Sequence, residues 1–184
     1  HLGVFDTTPD GIRNYVITFD QNANEIFRYE KNELFPIGEK EFTLPFFPSR
    51  WVKPIIPVLR SEVITSLNID NKYLLLPMIC YEAAIKSQFK RRAEIIQKNS
   101  NQFPLILNIS KDSYLENTSL IKLLSLYTKA QAVSLGLPIA RVSTTEHTEV
   151  ILPDGSFLGK LNKHTLGILN IEIPFKKLNQ WKIF

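Results

Sequence analysis

Four residues in this chain of 184 have the types and settings for nucleophilic chemistry: Cys80, Glu82, Lys31 and Glu39. Cys80 follows the apolar run Lys72–Ile79 (KYLLLPMI) and opens the helically periodic segment Glu82–Lys98. A strand-to-helix turn pushes such a side chain out of the sheet, and the unpaired N–H groups of a helix start favour thiolate over thiol. Nucleophiles are mounted this way, although an inert core cysteine after an apolar run fits the same pattern. Upstream, Phe27, Tyr29 and Lys31 share strand parity, so the lysine points to the same face as two aromatics. Aimed into a layered core it needs carboxylates beside it, whereas at a hairpin end it would be solvated. Glu39 follows the turn Pro36-Ile37-Gly38, which bends the chain back toward Lys31. Together these residues would make a nucleophile flanked by one cation and two carboxylates.

The elements that must position them read as alternating strands and helices. Ile12–Asp20 is a strand with Tyr15, Ile17 and Phe19 on one face and Asn14, Thr18 and Asp20 on the other. The turn Gln21–Asn24 leads to a second strand, Glu25–Leu34, completing a hairpin. Pro36–Pro57 carries five prolines and is a long loop, and Val58–Leu67 reads as a short helix. Lys72–Ile79 is a strand covered on both faces. Glu82–Lys98 is an amphipathic helix with Ile85, Phe89, Ala93 and Ile96 on one stripe and Glu/Lys pairs opposite. Pro104–Ser110 is another buried strand. Thr118–Leu135 is a helix that turns Leu120, Leu123, Leu124, Tyr127, Ala130 and Val133 inward and stops at Gly136. Pro138–Ser143, His147–Leu152, Ser156–Leu161 and Thr165–Pro174 finish as strands, with a turn at Pro153–Gly155. The expectation is one α/β layered domain over residues 1–184.

Composition removes several function classes. With 44% apolar, 22% charged and 11% aromatic residues the chain can bury one real core, and 7 glycines with 11 prolines exclude a collagen-like or low-complexity chain. The longest apolar run is only strand-length, so no segment here reads as bilayer-spanning. The start, His1-Leu-Gly-Val-Phe-Asp, lacks the basic and apolar regions of a signal peptide. A single cysteine excludes an internal disulfide framework and a Cys-rich zinc site, and His1, His147 and His164 lack metal-ligand spacing; neither metal nor cofactor is expected. Net charge +4 and a pI near 9.1 suit anionic surfaces. The basic stretch Lys86–Arg92 reads as a solvated helix face, and neither a Gly-rich phosphate loop nor a nucleic-acid reading emerges.

Several motifs occur in a recognisable order. Tyr29, Lys31, Leu34, Pro36, Gly38 and Glu39 form Tyr-x-Lys-x-x-Leu-x-Pro-x-Gly-Glu; Ile79–Glu82 reads Ile-Cys-Tyr-Glu; and Asn108, Ser110 and Asp112 form Asn-x-Ser-x-Asp, followed by Tyr114. Leu135-Gly136-x-Pro138 and Arg141 complete the set. The sequence resembles the nitrilase (carbon–nitrogen hydrolase) superfamily, most closely its apolipoprotein N-acyltransferase branch. The resemblance implies an αββα layered sandwich, of which this chain holds the last two-thirds without the N-terminal part, and membrane helices outside it. It also implies a domain on the periplasmic side of a bacterial inner membrane. Cys80 would be the nucleophile, forming a thioester with an acyl chain from phospholipid and passing it to the N-terminal amine of an apolipoprotein. Lys31 would hold the oxyanion with a backbone N–H near Tyr81, and Glu39 and Glu82 would position lysine and substrate. Tyr81, Asn108, Ser110, Asp112 and Tyr114 would line the substrate.

The pattern departs from the family in places. The general-base glutamate has no counterpart before Lys31, where Asp6, Asp10, Asp20, Glu25 and Glu30 sit in the wrong context. A usual Asn-Thr-Gly reads Thr144-Thr145-Glu146, a usual Gln-His reads Leu123-Leu124, and the Asn before Asp112 is Lys111. Two other readings therefore stay open: a soluble amidase of the superfamily, and an inactive nitrilase-like binding or assembly module of a membrane or conjugation system. The loop Phe42–Ile56 mixes aromatics with Arg50 and Lys53, as a membrane interface would, with Phe46, Phe47 and Trp51 facing lipid. The same aromatics would also serve to pack the loop on the domain itself.

Overall fold

A computed structural model describes residues 1–36, 39, 57–113 and 119–174 of the chain. Tyr114 and the lipid-facing candidates Phe46, Phe47 and Trp51 lie outside the described residues. The chain divides into two compact units, His1–Ile64 and Thr65–Phe184.

The first unit is an antiparallel sheet of β1 (Leu2–Thr8), β2 (Gly11–Phe19) and β3 (Glu25–Glu30) in that spatial order. β1 is an addition to the expected hairpin. Its sequence LGVFDTT does not alternate, and its place comes from pairing with β2, from Leu2 opposite Ile17 to Thr8 opposite Gly11. Asp20 organises the β2–β3 turn by accepting the N–H groups of Asn22 and Asn24 at 2.8 and 2.9 Å. One side of β2 buries Asn14, Val16 and Thr18; on the other Ile17 is buried and Phe19 exposed. Parity therefore places the polar residues of β2 inward, on the face they share with Phe27 and Tyr29 through the Val16–Tyr29 and Thr18–Phe27 pairs. Their polar atoms find partners in part: Thr18 Oγ1 bonds His1 Nδ1 at 2.6 Å and Asn14 Nδ2 donates to Glu39, whereas Asn14 Oδ1 is left without one among the described residues.

No helix forms over Val58–Leu67. The β-branched run Val63-Ile64-Thr65 disfavours one, and the preceding backbone is committed elsewhere. Val58 bridges Ile12, Leu59 N–H donates to Ile12 O at 2.8 Å, and Ser61 N–H donates to Lys31 O at 2.9 Å. Gly11 admits the approach of this segment, because a side chain there would collide with the Pro57 carbonyl that accepts Ile12 N–H.

The second unit is a six-stranded sheet in the order β4 (Leu67–Ile69), β5 (Tyr73–Ile79), β6 (Phe103–Ser110), β7 (Ile139–Ser143), β8 (Thr148–Ile151), β9 (Phe157–Leu161). β5, β6 and β7 are parallel and the flanking pairs antiparallel. The two parallel crossovers carry α1 (Lys86–Lys98) and α2 (Ser119–Leu135). Leu74, Leu76, Met78, Phe89, Ile106 and Ile139 form the centre of the core. The carboxyl ends of β5, β6 and β7 fall together in register, Ile79 beside Ile109 and Ser110 beside Ser143. Open parallel sheets place their chemistry at such ends.

Helix α2 has the expected span and stop: Gly136 is left-handed (φ 64°) and Leu137 N–H returns to Ala132 O at 3.1 Å. Its buried face, however, is Ile121, Thr128 and Ala132, while Leu120, Leu123, Tyr127 and Val133 are exposed. A helix apolar nearly all round does not reveal its inner face by periodicity, and the small residues Thr128 and Ala132 occupy the packed side. Thr165–Pro174 forms no strand in the described residues, and Leu166 and Ile168 are exposed.

The face of α2 gives a direct test by chemical denaturation. Ile121→Ala is expected to cost about 2–5 kcal/mol, and Leu126→Gln, on the exposed side, less than about 0.5 kcal/mol.

Candidate active site

The candidate residues fall into one group in each unit. In the first, the chain leaving β3 presents Lys31 inward at 1% exposure. Its backbone is fixed on both sides, Lys31 N–H donating to Asn14 O at 2.8 Å and Ser61 N–H to Lys31 O at 2.9 Å. Its ammonium donates to Glu39 Oε2 at 2.5 Å. The same Oε2 accepts Phe35 N–H at 2.7 Å, and Oε1 faces Asn14 Nδ2 at 3.4 Å. The buried cation is thus held by a carboxylate that is itself held, the condition for keeping a charge in a core. Asn14 is a part of this site that sequence reasoning missed. Its one signal was a polar side chain on the parity that Tyr29 and Lys31 make the inner one.

Three of the five acids before Lys31 have other duties: Asp20 organises its turn, Glu25 pairs with Arg28 at 2.7 Å, and Glu30 pairs with Arg13. The hydrogen bonds from Asn24 hold the Asp20 carboxyl below the usual aspartate range.

In the second unit Cys80 ends β5 and starts a 3-10 turn of five residues, Cys80–Ala84; α1 begins only at Lys86. The expected helix N-terminus at the cysteine is therefore replaced by a tight elbow. Cys80 takes a left-handed backbone (φ 50°), which non-glycine residues seldom adopt, and is 7% exposed. Such a conformation costs about 1–2 kcal/mol and survives only where neighbours over-determine it. Here Asn108 Nδ2 donates to Cys80 O at 3.3 Å from β6. The fully buried Glu82 turns its carboxylate back to accept Ile79 N–H at 2.6 Å. Tyr81 between them is half-buried.

Ser110 and Asp112 also come together at the ends of β6 and β7. Asp112 Oδ1 accepts the Ser110 hydroxyl; Oδ2 accepts Arg141 Nη2 at 2.8 Å and Ser143 Oγ at 2.5 Å. Asp112 N–H donates to Thr144 Oγ1 at 3.1 Å. Arg141, buried like Asp112, also lies 3.8 Å from the buried Glu149. Glu146, at the position where the family resemblance implies a glycine, is buried and accepts a hydrogen bond from Lys163 Nζ at 2.7 Å. Burial pushes its carboxyl up, but the Lys163 hydrogen bond and charge, aided by the His147 N–H, outweigh it and hold the group below the usual glutamate range. Among the described residues no group of three or more His, Cys, Asp or Glu is placed to hold a metal.

The second unit thus carries a thiol on an elbow at a strand end, and the first unit a buried lysine paired with a carboxylate. The carbon–nitrogen hydrolase profile matches residues 1–183. The chain belongs to the carbon–nitrogen hydrolase family. Curated relatives include the apolipoprotein N-acyltransferases of Rickettsia typhi and Rickettsia prowazekii, each 27% identical over 164 residues, and that of Ralstonia nicotianae, 24% identical over 149. The alignments cover 85% of this chain for the Rickettsia proteins and 80% for the Ralstonia protein, but the chain spans only 30% and 28% of those relatives' lengths. Among solved structures, a carbon–nitrogen hydrolase superfamily protein of Xanthomonas campestris, with an arsenic adduct in its active site, aligns with a TM-score of 0.63 at 14% identity. A mutant of the Nesterenkonia AN1 amidase aligns with a TM-score of 0.60 at 15% identity. These alignments cover 88% of this chain and 57% and 56% of those proteins. The carbon–nitrogen hydrolase chain therefore has the nitrilase-like fold, with mixed sheets and helices.

Two measurements check the site. At Cys80 a glycine suits the left-handed backbone, so Cys80→Gly is expected to be more stable than Cys80→Ala by about 1–2 kcal/mol; equal stabilities would mean the elbow relaxes. At Glu146 the lowered carboxyl contributes stability above its ordinary value of 4.5 that is lost as the pH falls through its folded value. Lys163→Met is thus expected to cost up to about 1 kcal/mol at neutral pH. The difference from wild type should shrink progressively in denaturation curves taken as the pH falls below 4.5.

Proposed function

We propose that this carbon–nitrogen hydrolase chain carries the acyl-transfer chemistry of a lipoprotein N-acyltransferase. The Cys80 elbow, seated between Ile79 and Glu82, is the observation that carries the reading, and the acyltransferase relatives support it. In the first step the Cys80 thiol gives up its proton and its sulfur attacks the ester carbonyl of a phospholipid. Lys31, with a backbone N–H near Tyr81, stabilises the oxyanion, a role worth about 10²–10³ in rate for a well-placed donor. Collapse expels the lysophospholipid alcohol, which takes up a proton, and leaves an acyl thioester on Cys80. In the second step the N-terminal amine of an apolipoprotein attacks the thioester, forming the amide and restoring the thiol. Glu39 aims the lysine, Glu82 fixes the elbow, and Tyr81, Asn108, Ser110 and Asp112, with Tyr114, would bound the acyl and headgroup region. Phe46, Phe47 and Trp51 would meet lipid on the periplasmic face of the inner membrane. Among the described residues no helix is long and apolar enough to cross a membrane.

The nitrilase-like fold also serves amidases, where water takes the place of the amine, so the acceptor distinguishes the two chemistries. The test separates acylation from the proton transfers. A nitrophenyl ester of a long-chain acid needs no proton for its leaving group and is expected to add one acyl mass to Cys80, labile to hydroxylamine. Lys31→Met should slow that addition by about 10²–10³-fold. With phospholipid as donor, the 184-residue chain is expected to be slower by the further 10²–10⁴ or so that a general base supplies. An acyl mass elsewhere than Cys80, or an unchanged rate in Lys31→Met, would overturn the reading. Fast turnover on phospholipid would instead assign the base to Glu39 or Glu82.

A further inference from the structure

We infer that Arg92 is a positioning residue for the Cys80 nucleophile, acting through Glu82 and the last residues of β5; the inference rests on the reading of Cys80 above. The sequence placed Arg92 on a solvated basic stretch, yet it is fully buried while Lys90 and Arg91 beside it are exposed. Its guanidinium makes a fork onto one carbonyl: Nε and Nη2 donate to Pro77 O at 3.1 and 2.6 Å. Nη2 also stands 3.9 Å from Glu82 Oε2, the oxygen that accepts Ile79 N–H. Nη1 donates to Gln88 Oε1 at 2.9 Å and Gln88 O at 3.1 Å, one helical turn earlier on α1.

This geometry gives Arg92 a task beyond filling space. Glu82 has no exposure, and a buried carboxylate needs a cation or hydrogen-bond donors to offset its lost hydration. The ionised form is the one that accepts Ile79 N–H most strongly. The Arg92 fork holds the chain three residues before Cys80, and the carboxylate it neutralises holds the residue immediately before it. With Asn108 on the carbonyl of Cys80 itself, these bonds over-determine the left-handed elbow. Arg92 thus sets the direction of the thiol from the far side of the strand, without meeting substrate. A lysine would keep the charge but not the fork.

Two readouts on the 184-residue chain test this. Amide hydrogen exchange at residues 79–82 reports the elbow, and the rate of Cys80 alkylation by iodoacetamide in the folded state reports the thiol. Gln88→Ala loosens the guanidinium without removing a charge. It is expected to speed exchange at 79–82 about tenfold, leave the last turn of α1 unchanged, and change the alkylation rate at least threefold. Arg92→Lys should give larger changes of the same kind. In a Glu82→Gln background the effect of Gln88→Ala on alkylation should shrink, because the two act through one carboxylate. Exchange and alkylation unchanged in Gln88→Ala, or effects that simply multiply with Glu82→Gln, would overturn the inference. If exchange at 79–82 responds while Cys80 is inert even in wild type, Arg92 shapes the elbow but positions no nucleophile, and the functional reading has failed instead.

Discussion

An ionised side chain taken out of water must carry its counter-charge with it, and the candidate residues within each unit are organised around that constraint. Lys31 has Glu39, Glu82 has Arg92, and Asp112 has Arg141, each of these charges lying in the interior or at its edge. Removing one member of such a pair typically costs 3–5 kcal/mol or so, because the other is left buried and alone. A pair built this way also fixes geometry. The carboxylate that neutralises Lys31 holds Phe35 N–H, and the carboxylate that faces Arg92 holds Ile79 N–H. Charge burial and backbone placement are therefore one device, used once in each unit.

The consequence reaches Cys80. Its left-handed backbone is disfavoured, and the bonds on either side of it come from two buried groups, Glu82, which faces Arg92, and Asn108. The elbow is paid for by the sheet ends and by α1. Similar economy appears at the ends of β6 and β7, where Ser110, Ser143 and Arg141 converge on Asp112. Glu146, at a position where the family usually has glycine, finds its partner in Lys163.

Much of this was legible in the sequence, for physical reasons that can be named. Continuous apolar runs such as Tyr73–Ile79 announce parallel strands, and Gly136 announces the end of α2. The shared parity of Phe27, Tyr29 and Lys31 correctly aimed the lysine inward, and the family motifs picked out Cys80, Glu82 and Glu39. What stayed hidden depended on partners distant in sequence. Asn14 and Arg92 look like surface residues until a carboxylate elsewhere requires them. The inner face of α2 was unreadable because leucines surround the helix, and the elbow at Cys80 was masked by helical periodicity that begins at Lys86. β1 forms by pairing rather than by pattern, and Val58–Leu67 yields its backbone to β2 and Lys31.

The central claim is that the folded chain presents Cys80 as a working thiol and not as a core side chain. Limited iodoacetamide treatment at pH 7 without denaturant, followed by intact-mass and peptide analysis, tests it most directly. A single adduct on Cys80 is expected to accumulate to completion while the chain remains folded by circular dichroism. An adduct that forms only once denaturant has unfolded the second unit would contradict it.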